Sequence, residues 1–137
     1  MPRGHRLLFV HPETRPDKVW PIEGYRNVLR AFLDTHRDIT VIAASGWDFG
    51  LDRVVSLDLH YELALAVLAR SDLFLGIDSC FLHAADMFRL PSVGLFGPTS
   101  PAHWGFRLTP AGRHVWGEGS MDRIRERDVE EALRSIA

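Results

Sequence analysis

Four short apolar runs, Arg6-Leu-Leu-Phe-Val-His11, Ile39 to Ala44, Leu73-Phe-Leu-Gly-Ile77 and Ser92 to Phe96, are separated by segments whose apolar residues return at helical spacing. Runs of this length read as strands buried on both faces, and strands alternating with helices demand a mainly parallel sheet covered on both sides. The fold class expected is therefore α/β, a Rossmann-like doubly wound domain. At 137 residues the chain has the size of one domain spanning 1–137, with enough length to bury a real core.

The segments between the runs support this layout. Pro12 to Pro21 carries three prolines and four charged residues, which break helix and strand alike and predict a loop. From Ile22, the positions Tyr25, Val28, Leu29, Phe32 and Leu33 predict a helix to about His36, entered through Pro21. Val54 to Leu57 reads as a third, shorter strand after the turn at Gly46 to Asp52, and Tyr61 to Arg70 as a mostly buried helix. Ser79 is suited to accept hydrogen bonds from the first free amides of a helix running to about Leu90, which Pro91 stops. Gly97 to Pro101 is a turn-rich loop, the stretch to Gly119 is mostly irregular with a strand at His114 to Trp116, and Val129, Leu133 and Ile136 mark a closing helix.

A sheet of this kind has the usual order 3-2-1-4-5-6, with ligands bound beyond the carboxyl ends where the order reverses, between strands one and four. The loops expected to meet there are His11 to Trp20, Asp78-Ser79-Cys80 and Gly97 to Pro101. A helix beginning at Ser79 offers unpaired amides and the positive end of its dipole, and the Gly97-Pro98-Thr99-Ser100 loop lets backbone amides approach a ligand. Lys18 adds a cation able to neutralise a diphosphate, and Asp78 can accept hydrogen bonds from sugar hydroxyls. Together these residues describe a nucleotide-sugar site.

The rest of the composition excludes other classes. A net charge of −2 and a pI near 6.4 provide no field to condense on nucleic acid. Arg3 and Arg6 precede an apolar run too short for a signal peptide, and no stretch approaches membrane-spanning length, so a cytoplasmic protein is expected. The lone cysteine, Cys80, cannot form an internal disulfide, and three residues' separation from His83 does not by itself make a nucleophile pair. The other histidines, His5, His11, His36, His60, His103 and His114, show no metal-ligand spacing, so neither a metal nor a cofactor is expected, only a nucleotide sugar as substrate. Bland roles compete with the sharp ones: Asp78 as a turn or cap residue, His83 as a hydrogen-bonded structural histidine, Lys18 as a solvated loop charge. Trp20, Trp47, Trp104 and Trp116 read first as packing residues, with Trp104 also placed to face a base or an interface.

Asp78-Ser79-Cys80-Phe81-Leu82-His83-Ala84-Ala85, followed by Pro91 and by Val93-Gly-Leu-Phe-Gly-Pro-Thr-Ser-Pro101, resembles the signature of family 9 glycosyltransferases, the heptosyltransferase-like group. Lys18-Val-Trp20-Pro21 is similar to the lysine and Trp-Pro pair that precede a helix in that family, and Ile124 to Ala137 resembles its closing segment. The resemblance covers nearly the whole chain, but only the family's C-terminal half. It implies one half of a two-domain, metal-independent GT-B transferase, with an ADP-heptose-like donor held by this half and the acceptor by the other. Carried over, Lys18 contacts donor phosphates, Asp78 the sugar hydroxyls, and Ser79, His83 and Gly97 to Thr99 the phosphate and ribose region. Two departures stand out. Cys80 occupies a position usually held by glycine, where close approach or a positive φ is strained. The family's catalytic base lies in the N-terminal domain, so a chain starting at Met1 is expected to bind rather than catalyse, unless a separate acceptor-binding domain or self-association completes it. The alternative is a non-catalytic module that binds a nucleotide or another protein.

Overall fold

The computed structural model describes residues 4–137; Arg3, counted above among the N-terminal basic residues, lies outside them. Six strands form one sheet: β1 (Arg6–His11), β2 (Ile39–Ala44), β3 (Val54–Leu57), β4 (Leu73–Ile77), β5 (Ser92–Phe96) and β6 (Gly112–Trp116). Their order is β3-β2-β1-β4-β5-β6 and every pairing is parallel. The helices are α1 (Ile22–Thr35), α2 (Tyr61–Ala69), α3 (Cys80–Met87), α4 (Pro101–Trp104) and α5 (Glu126–Ile136). The doubly wound order expected from the sequence is the one observed.

Strand alternation divides the core into two layers. Leu8 and Val10 of β1, Leu75 and Ile77 of β4 and Leu95 of β5 pack with Tyr25, Leu29 and Phe32 of α1 and with Val129 and Leu133 of α5. Phe9, Phe74 and Phe96 point to the other face, against Ala64 and Leu68 of α2 and Phe81, Leu82 and Ala85 of α3. Phe9 and Phe74 are cross-strand partners whose rings stack with centroids 6.2 Å apart. Burial of each such ring stabilises the fold by roughly 2–3 kcal/mol. Because β1 lies between β2 and β4, the chain winds away in opposite directions after these two strands, leaving a crevice at their carboxyl ends.

Three local expectations are corrected. α3 stops at Met87 rather than near Leu90 because Arg89 takes a left-handed φ of 56°. The amides of Leu90 and Arg89 then close back on the carbonyls of Ala85 and Asp86 in the Schellman pattern. The segment after Gly97-Pro98-Thr99-Ser100 is helical at once: Ser100 caps α4 by accepting from the amide of Ala102, and Pro101 suits the first turn. β6 begins at Gly112 rather than His114, extending its pairing with β5.

Asp86, on the buried side of α3, braces the segment between α4 and β6. Its Oδ2 accepts from the amide of Arg107, and its Oδ1 from those of Leu108 and Thr109, each at 2.9 Å.

Candidate functional site

After β1 the chain passes through a single 3-10 turn, Pro16–Lys18, whose proline fixes its first residue. That turn carries the Lys18 ammonium over the end of β4, where Nζ lies 3.4 Å from Asp78 Oδ2. Thr99, on the loop after β5, donates from Oγ1 to the same oxygen at 2.7 Å. His83, one turn into α3, places Nε2 3.7 Å from Asp78 Oδ1, an ion pair when the ring is protonated. Asp78 is therefore the hub of three loops at the switch point; its side chain is only 7% exposed, against 17% for Lys18 and 45% for His83. A carboxylate this enclosed requires such donors to offset its lost hydration.

Ser79 is the N-cap residue of α3, but its hydroxyl makes no capping bond; it pairs instead with His11 Nδ1 at 3.1 Å. This corrects the expected cap. The amides of the first α3 turn consequently keep their hydrogen-bonding capacity at the positive end of the helix. His11 is also packed on Phe81, with ring centroids 4.4 Å apart. Its burial pushes the imidazole down to about 4, outweighing the opposite pull of Glu13, so His11 is a neutral orienting group at neutral pH. Cys80 opens α3 at the surface and is not among the positive-φ residues. The positive-φ strain considered for a side chain at this position is absent.

Lys18, Asp78, Ser79, His83 and Thr99 line one cavity of about 430 Å³, a size ordinary for small-molecule sites. Arg15, Cys80 and Trp104 complete its lining. Arg15 was not singled out in the sequence, although its place three residues before Lys18 in the loop after β1 was the signal. Trp104, half exposed, is on the cavity wall rather than in the core.

The remaining candidates act on the loop rather than line that cavity. The Gly97 carbonyl accepts from Gly119 N at 2.8 Å and from Trp116 Nε1 at 3.2 Å, and a Cβ at Gly97 would fall 2.6 Å from the backbone nitrogen of Met121. Only glycine fits there without a backbone shift. Pro98 borders a smaller adjoining cleft with Pro16 and Asp17, and Ser100 caps α4. These three set the course of the loop that presents Thr99. Glu13 was also missed: it ties the first loop to the end of β2 by accepting from Ser45 Oγ and from Gly46 N. Another cleft of about 430 Å³ lies at the sheet edge, between β6 and α5, away from the switch point.

Among the described residues, no three His, Cys, Asp or Glu side chains converge to hold a metal ion. No helix among them is long and apolar enough to cross a membrane.

The model of glycosyltransferase family 9 (heptosyltransferase) matches residues 2–133. No curated protein matches the chain. Among solved structures, Escherichia coli heptosyltransferase WaaC with ADP superimposes with a TM-score of 0.80 at 22% identity, over 98% of this chain and 45% of that one. The E. coli ADP-heptose lps heptosyltransferase II gives a TM-score of 0.75 at 19% identity, over 99% and 47%. A putative UDP-N-acetylglucosamine 2-epimerase from Listeria monocytogenes gives 0.71 at 13%, over 98% and 37%. The chain thus spans less than half the length of each, and the shared unit is one Rossmann-like half of a GT-B architecture. An epimerase in the same set shows that this fold alone does not fix the reaction.

Proposed function

The chain belongs to glycosyltransferase family 9, the heptosyltransferase family, and from that premise we propose that it is a donor-binding half whose switch-point cavity takes a nucleotide-diphosphate sugar of the ADP-heptose type. The observation that carries the reading is the convergence of Lys18, Asp78, Ser79, His83 and Thr99, from three separate loops, on one cavity. In this reading the diphosphate lies between the Lys18 ammonium and the free amides of the first α3 turn, where cation and helix dipole both favour negative charge. Asp78 accepts hydrogen bonds from the sugar hydroxyls, and His83 and the Gly97-to-Ser100 loop border the phosphate and ribose.

Transfer then proceeds by direct displacement at the anomeric carbon: the acceptor oxygen forms the new bond as the bond to the diphosphate oxygen breaks. The departing diphosphate gains charge at Lys18 and the helix amides, which are already oriented and so stabilise it without reorganisation. The acceptor and the base that takes its proton belong to the other half of the GT-B arrangement, on the same or a separate chain.

The test is calorimetric titration with ADP, UDP and GDP and with their sugar conjugates, for the native chain and Asp78→Ala. Selective binding of one conjugate that is lost in the variant is the expected result. Binding of none, or unchanged affinity in Asp78→Ala, would remove the site assignment.

A further inference from the structure

We infer that Asp78 separates the intact donor from the spent nucleotide by exchanging its contact with Lys18 for a sugar hydroxyl; this rests on the donor-site reading above. The two oxygens of Asp78 are used unequally by the protein's own groups. Oδ2 takes both the Thr99 hydroxyl, at 2.7 Å, and the Lys18 ammonium, at 3.4 Å. Oδ1 has His83 Nε2 at 3.7 Å, too far for a hydrogen bond, and among the described residues it accepts none. The carboxylate therefore holds its cation loosely and retains unused accepting capacity in a largely water-excluded position.

A bound diphosphate competes with Asp78 for that one ammonium. When the ligand is a nucleotide sugar, hydroxyls of the sugar replace Lys18 at Asp78, and both groups end up paired. When the ligand is the free nucleoside diphosphate, no hydroxyl arrives. Its terminal phosphate also carries an additional negative charge, at the position from which the sugar has left, next to the carboxylate. Two like charges a few ångströms apart, one of them a carboxylate only 7% exposed, repel strongly enough to weaken binding by about tenfold. Asp78 thus favours retention of the donor and release of the product, and Lys18 is the shared cation through which the two states are coupled.

The experiment is calorimetric titration of the full chain, Asp78→Asn and Lys18→Gln with ADP and with ADP-heptose, or with the corresponding UDP or GDP pair where the chain selects that base. The native chain is expected to prefer the conjugate. Asp78→Asn, which keeps size and removes charge, is expected to tighten the free diphosphate by about tenfold while weakening the conjugate, inverting the preference. Lys18→Gln leaves Asp78 its Thr99 hydroxyl but removes the ammonium beside it, so both ligands weaken, the free diphosphate more, and the preference widens. Proportional losses for both ligands in Asp78→Asn, or an unchanged ratio in Lys18→Gln, would overturn the exchange while leaving the donor site standing. Failure of the native chain to bind any of the pairs would instead overturn the donor site itself, and the exchange with it.

Discussion

Replacing Asp86 by asparagine tests how α3 is locked to the segment behind the cavity wall. The carboxylate accepts three backbone N–H bonds at 2.9 Å, two on Oδ1 and one on Oδ2, from a residue only 7% exposed. An asparagine oriented to retain the pair from Leu108 and Thr109 turns its NH₂ toward the Arg107 amide, donor against donor; the flipped amide sacrifices two bonds instead of one. The better orientation loses one charge-assisted bond, about 1.5–3 kcal/mol, and leaves the part-buried Arg107 N–H facing a donor, at about 1–2 kcal/mol more. A loss of about 3–5 kcal/mol follows, within the roughly 7–20 kcal/mol available to a domain of this size, so the variant stays folded. Urea unfolding measures it as a lower midpoint at unchanged m-value. The acid limb adds a second signature. Burial pushes the Asp86 carboxyl up, but the backbone N–H groups of Thr109, Arg107 and Leu108, with His83 adding a smaller pull, hold it below its usual range. The folded state therefore binds fewer protons than the unfolded one near pH 4, and this contribution is present above that range and lost as the pH falls through the depressed value. Asp86→Asn flattens that limb. A loss under about 1 kcal/mol, with the acid limb unchanged, would refute the reasoning.

Tyr25 is fully enclosed, and its hydroxyl has no hydrogen-bond partner among the described residues; Tyr25→Phe should raise stability by about 1 kcal/mol in urea unfolding, and a loss of similar size would reveal a partner. Arg89 occupies the left-handed position that ends α3, so Arg89→Gly should raise the thermal midpoint, with a gain of about 0.5–1 kcal/mol, and a fall would contradict the Schellman assignment. For His11, NMR titration should find the ring near its lowered value of about 4 rather than near 6.5. Because the folded state is then the one that resists protonation, stability is full above the unfolded pKa of about 6.5 and declines by at most about 3 kcal/mol as the pH falls through the lowered value. Titration near 6.5 would show that the His11–Ser79 pair is open to water.

Most of the fold was legible because buried parallel strands and amphipathic helices leave strong periodic marks. Leu7 to Val10 and Leu73 to Ile77 admit few readings other than central strands, and the order that follows brings their loops together before any motif is considered. The convergence of Lys18, Asp78, Ser79, His83 and Thr99 was legible for the same reason. What stayed hidden depends on side-chain partners distant in sequence. Ser79 has the chemistry of a cap, but only the fold reveals that His11, 68 positions away, takes its hydroxyl. The end of α3 turns on a left-handed arginine, a conformation that composition disfavours and that the Asp86 and Ala85 carbonyl contacts enforce. That a side chain at Gly97 would collide with Met121, from the turn after β6, is likewise visible only in the fold.

The central claim is that a nucleotide sugar binds at the switch point of this half. The measurement that tests it most directly is amide chemical-shift mapping of the labelled chain during titration with ADP-heptose. The account predicts that the largest shifts fall on Lys18, on Ser79 to His83 at the start of α3, and on Thr99 and Ser100. Shifts centred on Arg113 to Trp116 and on Asp128 to Ser135, around the edge cleft between β6 and α5, would contradict it.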